Sequence, residues 1–176
     1  MSYNRTEAQR LITKYGIPEA SSMLCDKEMN DCVVRAVSHA FDVDYIKAHH
    51  FCELKLHRVS GNGTYTHRYL PKVKQAFGSK IKQLGKRGKY TGCRYLTRDQ
   101  KSKVEKWSNA KQKWVVKRET VQVQYKVNEF VKAHSEGKYL VTVKGHMFAL
   151  IDGVIKGNWD DDKRLTRKVK SAYKVS

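Results

Sequence analysis

The chain has 176 residues, 40% hydrophobic and 30% charged, with two prolines and a formal net charge of +19. That length suits a single domain over residues 1–176 with a real core, and the composition excludes a low-complexity or largely disordered chain. No run approaches the roughly 18 apolar residues of a membrane span, and Met1 to Glu7 lacks the apolar segment of a signal peptide, so a cytoplasmic protein without membrane contact is expected.

A first helix is expected from about Thr6 to Tyr15, stopped by Gly16, and a loop from Ile17 to Met29 follows it. The next helix begins at Asn30 or Asp31, both good caps, and places Val33, Ala36, Val37, Ala40 and Phe41 on one face. Asp42 or Asp44 caps a further helix bearing Tyr45, Ile46, Ala48 and Phe51. Ser60 to Thr64 is a loop, and Leu70, Val73 and Phe77 mark a short helix ended by Gly78. Ser79 to Arg94 has a weak pattern, suited to a basic loop or an irregular strand. Thr97-Arg98-Asp99-Gln100 fits a capping box, so a short polar helix is expected after it. Trp114 to Val116 and Val121 to Tyr125 are strand-like, and Val127, Phe130, Val131 and His134 mark a helix closed by Gly137. Three strands, Tyr139 to Val143, His146 to Ile151 and Val154 to Asn158, end the domain. Helices first and antiparallel strands last make an α+β layout, with a basic insertion at about 79–118 between them.

Two places carry chemistry. Asn30-Asp31-Cys32-Val33-Val34 sets a cysteine at a helix start, where the first-turn amides and the macrodipole favour a thiolate. Gly145-His146-Met147 sets a histidine at the start of a strand, and an imidazole facing that thiol is the base a cysteine nucleophile needs. Each has a plainer reading, a small buried thiol and a structural histidine. Cys25, Cys52 and Cys93 are expected as free thiols in a reducing compartment. His49, His50, Cys52 and His57 could be read as metal ligands, but adjacent histidines on a helix more simply bury one ring and solvate the other. No metal and no cofactor are expected.

The two segments together, with Gly137 to Gly153 running into an Asp-Gly turn, resemble the papain-like cysteine peptidases. The likeness is to small tailed-bacteriophage members and, further off, to the leader-peptidase domains of bacteriocin exporters. It spans about residues 30–77 and 126–160. It implies N-terminal helices packed on a C-terminal antiparallel sheet, a nucleophile at Cys32, a general base at His146 and an Asn or Asp orienting the imidazole from the following strand. A bulged Asp152-Gly153 turn would pair His146 with Asn158, and a plain two-residue turn would face it with Trp159. Asn158 is the first choice and Asp160 the second. The family pattern also has a Gln about six residues before the cysteine, and Asp26 stands at that spacing. Asn30 could supply an oxyanion donor in its place. A peptide or protein is the implied substrate, in a host cytoplasm if the chain is of phage origin.

The charge is concentrated between Lys55 and Arg118, where Asp99 and Glu105 oppose many cations and Tyr65, Tyr69, Tyr90, Trp107 and Trp114 are interleaved. Basic side chains beside aromatic rings suit nucleic acid, and Lys82, Lys86, Arg87, Lys89 and Arg94 are the candidate contacts. An acidic host protein would be met by the same charge, and a solvated basic surface is the plainer reading. Two functions therefore stand: a cysteine-nucleophile hydrolase or acyltransferase with a polyanion-binding surface, or a binding protein that keeps the fold and has lost or weakened the chemistry.

Overall fold

The computed structural model describes residues 13, 25–26, 28–59, 61–64, 75–84, 96–158 and 161–176. The expected helix at 6–15 lies outside these residues apart from Thr13, which is helical, as does most of the expected loop at 17–29, where Cys25 and Asp26 are helical. Helix α1, Cys32–Phe41, buries Val33, Val34, Ala36, Val37 and Ala40 along one side. It ends at Asp42, whose left-handed φ of 52° turns its N–H back onto the last turn. Helix α2, Tyr45–Leu56, starts where the Asp44 carboxylate accepts the Ile46 amide at 2.9 Å, satisfying one of the donors that a helix start leaves open.

One sheet organises the body. Its strands are β1 (Ile81–Gln83), β4 (Lys138–Val143), β5 (His146–Ile151), β6 (Val154–Lys156) and β7 (Ser171–Val175). Their order is β1-β7-β4-β5-β6, and every neighbouring pair is antiparallel. Because alternate residues point to opposite faces, the sheet feeds two cores. Leu140, Met147, Ala149, Tyr173 and Val175 pack with α1 and α2 on one face. Tyr139, Val141, Phe148, Leu150 and Ala172 pack on the other with Val127 and Phe130 of helix α3 (Val127–Ala133) and with Leu96. Each fully buried Leu or Phe contributes about 1.5–3 kcal/mol, so these two faces hold the fold. Helix α1 lies across β5 and β4, which brings its N-terminus to the start of β5.

The chain is thus α+β, with helices on an antiparallel sheet. Strands β2 (Thr97–Ser108) and β3 (Lys113–Gln124) form a separate two-stranded ribbon. This corrects the helix expected after Thr97: all of Thr97 to Gln100 pairs with Val121 to Gln124. Strand β7 is a further difference, since a five-residue terminal segment carries little pattern of its own. It sits between β1 and β4 and makes the sheet continuous.

Candidate active site

The site is built at the meeting of α1 and β5. Asp31 precedes α1 but caps none of its amides with its side chain. Its carboxylate instead accepts from Arg35 Nε at 2.8 Å and from the Tyr45 hydroxyl at 2.7 Å, and is itself buried. Arg35 also donates to the Cys25 carbonyl at 2.9 Å and lies over the Tyr45 ring. Burial and the Asp31 bond push the Tyr45 hydroxyl pKa up, so it stays a neutral donor. This cluster fixes the entry to α1 while leaving the helix N-terminus to Cys32.

His146 opens β5 next to the two-residue turn Lys144-Gly145, where Gly145 takes a φ of 70° that favours glycine. On one side its ring lies close enough to the Cys32 thiol for the two to interact electrostatically. On the other, Nε2 stands 2.6 Å from Asp161 Oδ1. The geometry at Nε2 is not that of a directed hydrogen bond, so attraction between opposite charges carries this contact. Burial alone would lower the imidazole pKa, but Asp161 and Cys32 outweigh it and raise it to about 9. Both neighbours favour the imidazolium.

Asp161, not Asn158, meets the imidazole, and the register explains why. Asp152 and Gly153 both have positive φ, 48° and 78°, so the turn is a plain two-residue one of the type that matches strand twist. Ile151 pairs with Val154 and Ala149 with Lys156, with no bulge. Strand β6 stops at Lys156, and the chain turns through a short 3-10 segment, Asp161–Lys163, that carries its first carboxylate back to the ring. Asn158 serves from behind: its backbone N–H donates to Asp161 Oδ2 at 2.8 Å, while its side-chain oxygen has no hydrogen-bond partner among the described residues. Arg167 donates to Oδ1 at 3.2 Å. Asp161 is 2% exposed. Burial would raise its pKa, but His146, the Asn158 amide and Arg167 hold it below the usual carboxylate range. Gly157 is part of the same device, because an added Cβ there would overlap the Asp161 carboxylate. Asp160, the second choice, lies outside the described residues, as does Trp159. The run Asp160-Asp161-Asp162 was the available signal.

The oxyanion side differs from the expectation too. Asn30 has a left-handed φ of 58°, and its side-chain amide donates to the Gly61 carbonyl at 3.3 Å, which ties it to the neighbouring loop. Asp26 is exposed. The Cys32 backbone N–H at the helix start is a donor on the chain at this point. Beneath the site, Glu28 accepts from Arg58 at 2.5 Å and from the Gly61 amide at 2.7 Å, and Arg58 also meets His49 Nε2 at 2.8 Å. His49, read above as a possible metal ligand, is therefore engaged by a buried guanidinium. Among the described residues no cluster of His, Cys, Asp and Glu is arranged for a metal ion. Cys52 is fully buried, and burial raises its thiol to about 12.

Lys82 is exposed on the edge strand β1, opposite Lys174 of β7. Lys86, Arg87, Lys89 and Arg94 lie outside the described residues, as does Cys93. Among the described residues no helix is long and apolar enough to cross a membrane. Compared with protein families, curated proteins and solved structures, the chain matches none.

Proposed function

We propose that this chain is a cysteine-nucleophile hydrolase or acyltransferase acting on a peptide or isopeptide-type bond, on a papain-like fold. The observation that carries the reading is His146 held between the Cys32 thiol at a helix start and the buried Asp161 carboxylate. In this reading Cys32 Sγ attacks the substrate carbonyl carbon as the thiolate, and the S–C bond forms as the carbonyl π pair moves to oxygen. The Cys32 N–H donates to that oxyanion. The imidazolium gives its proton to the leaving amine as the C–N bond breaks, leaving a thioester. His146 then takes a proton from water, or from an acceptor amine, which attacks the thioester and releases Cys32. Asp161 stabilises the imidazolium and fixes the ring, as the orienting member of a triad does.

The test is thiol labelling with iodoacetamide near pH 7, located by peptide mapping, followed by turnover of fluorogenic peptide and isopeptide substrates. Cys32 should label first. Cys32→Ala should abolish labelling at that position and all turnover, and His146→Ala should slow turnover by about 10²–10⁴. Labelling at Cys25 in preference to Cys32, or turnover unchanged in His146→Ala, would overturn the assignment. The second reading, a binding protein with lost or weakened chemistry, draws on the exposed Asp26 and on Asn30 being spent on Gly61. It expects turnover to be absent and Cys32 to resist the probe.

A further inference from the structure

The β2–β3 ribbon has no part in the thiol site. Each strand is 12 residues long, about 40 Å at the usual rise, and the two pair along their whole length from Thr97↔Gln124 to Ser108↔Lys113. At the root, the Tyr125 amide donates to the Leu96 carbonyl at 3.0 Å, and Leu96 and Tyr125 join the core. Beyond the root neither strand pairs with any other strand among the described residues. The ribbon is therefore an arm.

Its two faces differ. On one, Lys106 is paired with Glu119 at 2.8 Å and Arg98 with Glu129 at 2.9 Å, and Lys113 and Lys117 are exposed. On the other, Lys101, Lys103, Trp107, Trp114, Val116 and Arg118 are all exposed, with Asp99 and Glu105 beside the two lysines. Lys103 stands directly across from Arg118, with Lys101 next in line. Like charges placed opposite each other weaken a ribbon that has no core of its own to support it. At the tip, Trp107 and Trp114 face each other across the strands, edge to face at 5.9 Å. That pair accounts for the tip as a clasp. It gives no reason for the opposed cations or for the ribbon's net charge of +5, eight Lys and Arg against Asp99, Glu105 and Glu119 over residues 97–124, which a polyanion would relieve.

We propose that this arm is a duplex DNA-binding ribbon, docking in the major groove with Lys101, Lys103 and Arg118 reaching the phosphates. The shape decides among nucleic acids. A two-stranded ribbon fits the roughly 12 Å major groove of B-form DNA, whereas the major groove of A-form RNA is too narrow. Single strands are bound by grooves that track the backbone, which a two-stranded ribbon by itself does not form. The inference goes beyond the thiol chemistry and does not depend on it.

The experiment is fluorescence anisotropy of the full chain with a labelled mixed-sequence 20-base-pair DNA duplex, the matching single strand and the matching RNA duplex. Salt is varied from 50 to 200 mM. Three neutralised phosphates should weaken duplex DNA binding roughly 40-fold over that range. Lys101→Gln with Lys103→Gln and Arg118→Gln should remove most of this salt dependence and weaken binding at 50 mM at least tenfold. The same change at Lys47, Lys55 and Lys132, exposed on α2 and α3, should weaken it less than threefold. Cys32→Ala should bind as the parent does, so failure of the thiol reading leaves this result standing. Equal effects of the two triple variants, tighter binding to single strand or RNA duplex, or no duplex binding at 50 mM would each overturn the proposal. Trp107→Ala with Trp114→Ala is a second variant that leaves the cations in place. It should retain the salt slope, and loss of that slope would show the tip rather than the cations to be the contact.

Discussion

Replacing Asp161 with Asn removes one charge from a site whose geometry otherwise stays nearly the same size. In the parent, the Asp161 carboxylate and Cys32 hold His146 at about 9, against an ordinary value of 6.5. At 1.36 kcal/mol per pH unit that gap is worth about 3 kcal/mol, shared between the two neighbours. The sign follows from linkage. A raised imidazole pKa stabilises the fold fully below about 6.5, and that contribution is lost as pH rises through about 9. Asp161 behaves in the opposite sense: its depressed carboxyl contributes above its ordinary range and loses that contribution as pH falls. Both describe one ion pair, so the energy is counted once. The assay is urea unfolding of parent and Asp161→Asn at pH steps from 6 to 9.5, with NMR titration of the His146 ring. The parent should lose stability across pH 6.5–9, while the variant should change much less and its ring should titrate closer to 6.5. Turnover should fall by about 10²–10⁴, and its alkaline limb should move to lower pH. Parallel stability curves, or a His146 titration unchanged by the substitution, would refute the reasoning.

Gly157→Ala should act on the same carboxylate from the other side, because the new methyl would occupy the position of Asp161. Turnover should drop while thermal unfolding shows a cost of about 1–3 kcal/mol from the displaced contact. Arg58→Ala should be among the most destabilising single changes, about 3–5 kcal/mol in urea unfolding, because it leaves Glu28 and His49 without their buried cation.

Several elements were legible because their signals are local. The apolar periodicity of Val33, Ala36, Val37 and Ala40 marked α1, the Asp44 carboxylate marked the start of α2, and Asp152-Gly153 marked the β5–β6 turn. Cys32 at a helix start and His146 at a strand start were readable for the same reason. The ribbon was not. Neither of its faces is covered, so β2 shows no clean alternation of apolar and polar residues, and Thr97 to Gln100 resembles a helix start as much as a strand. The partner of His146 was read as Asn158, with Asp160 second, whereas Asp161 takes the place, and Asn158, Asp160, Asp161 and Asp162 are crowded together in sequence. That choice depended on a one-residue difference in hairpin register and on the path of the chain after β6. Those are set by the packing of β5 against α1 and by the carboxylate seat over Gly157, both contacts between residues distant or turned back on themselves. Local sequence marked α1, α2 and the β5–β6 turn and placed Cys32 and His146 at element starts. Only tertiary packing, which satisfies a buried charge once and in one place, decided that Asp161 is the acid beside them.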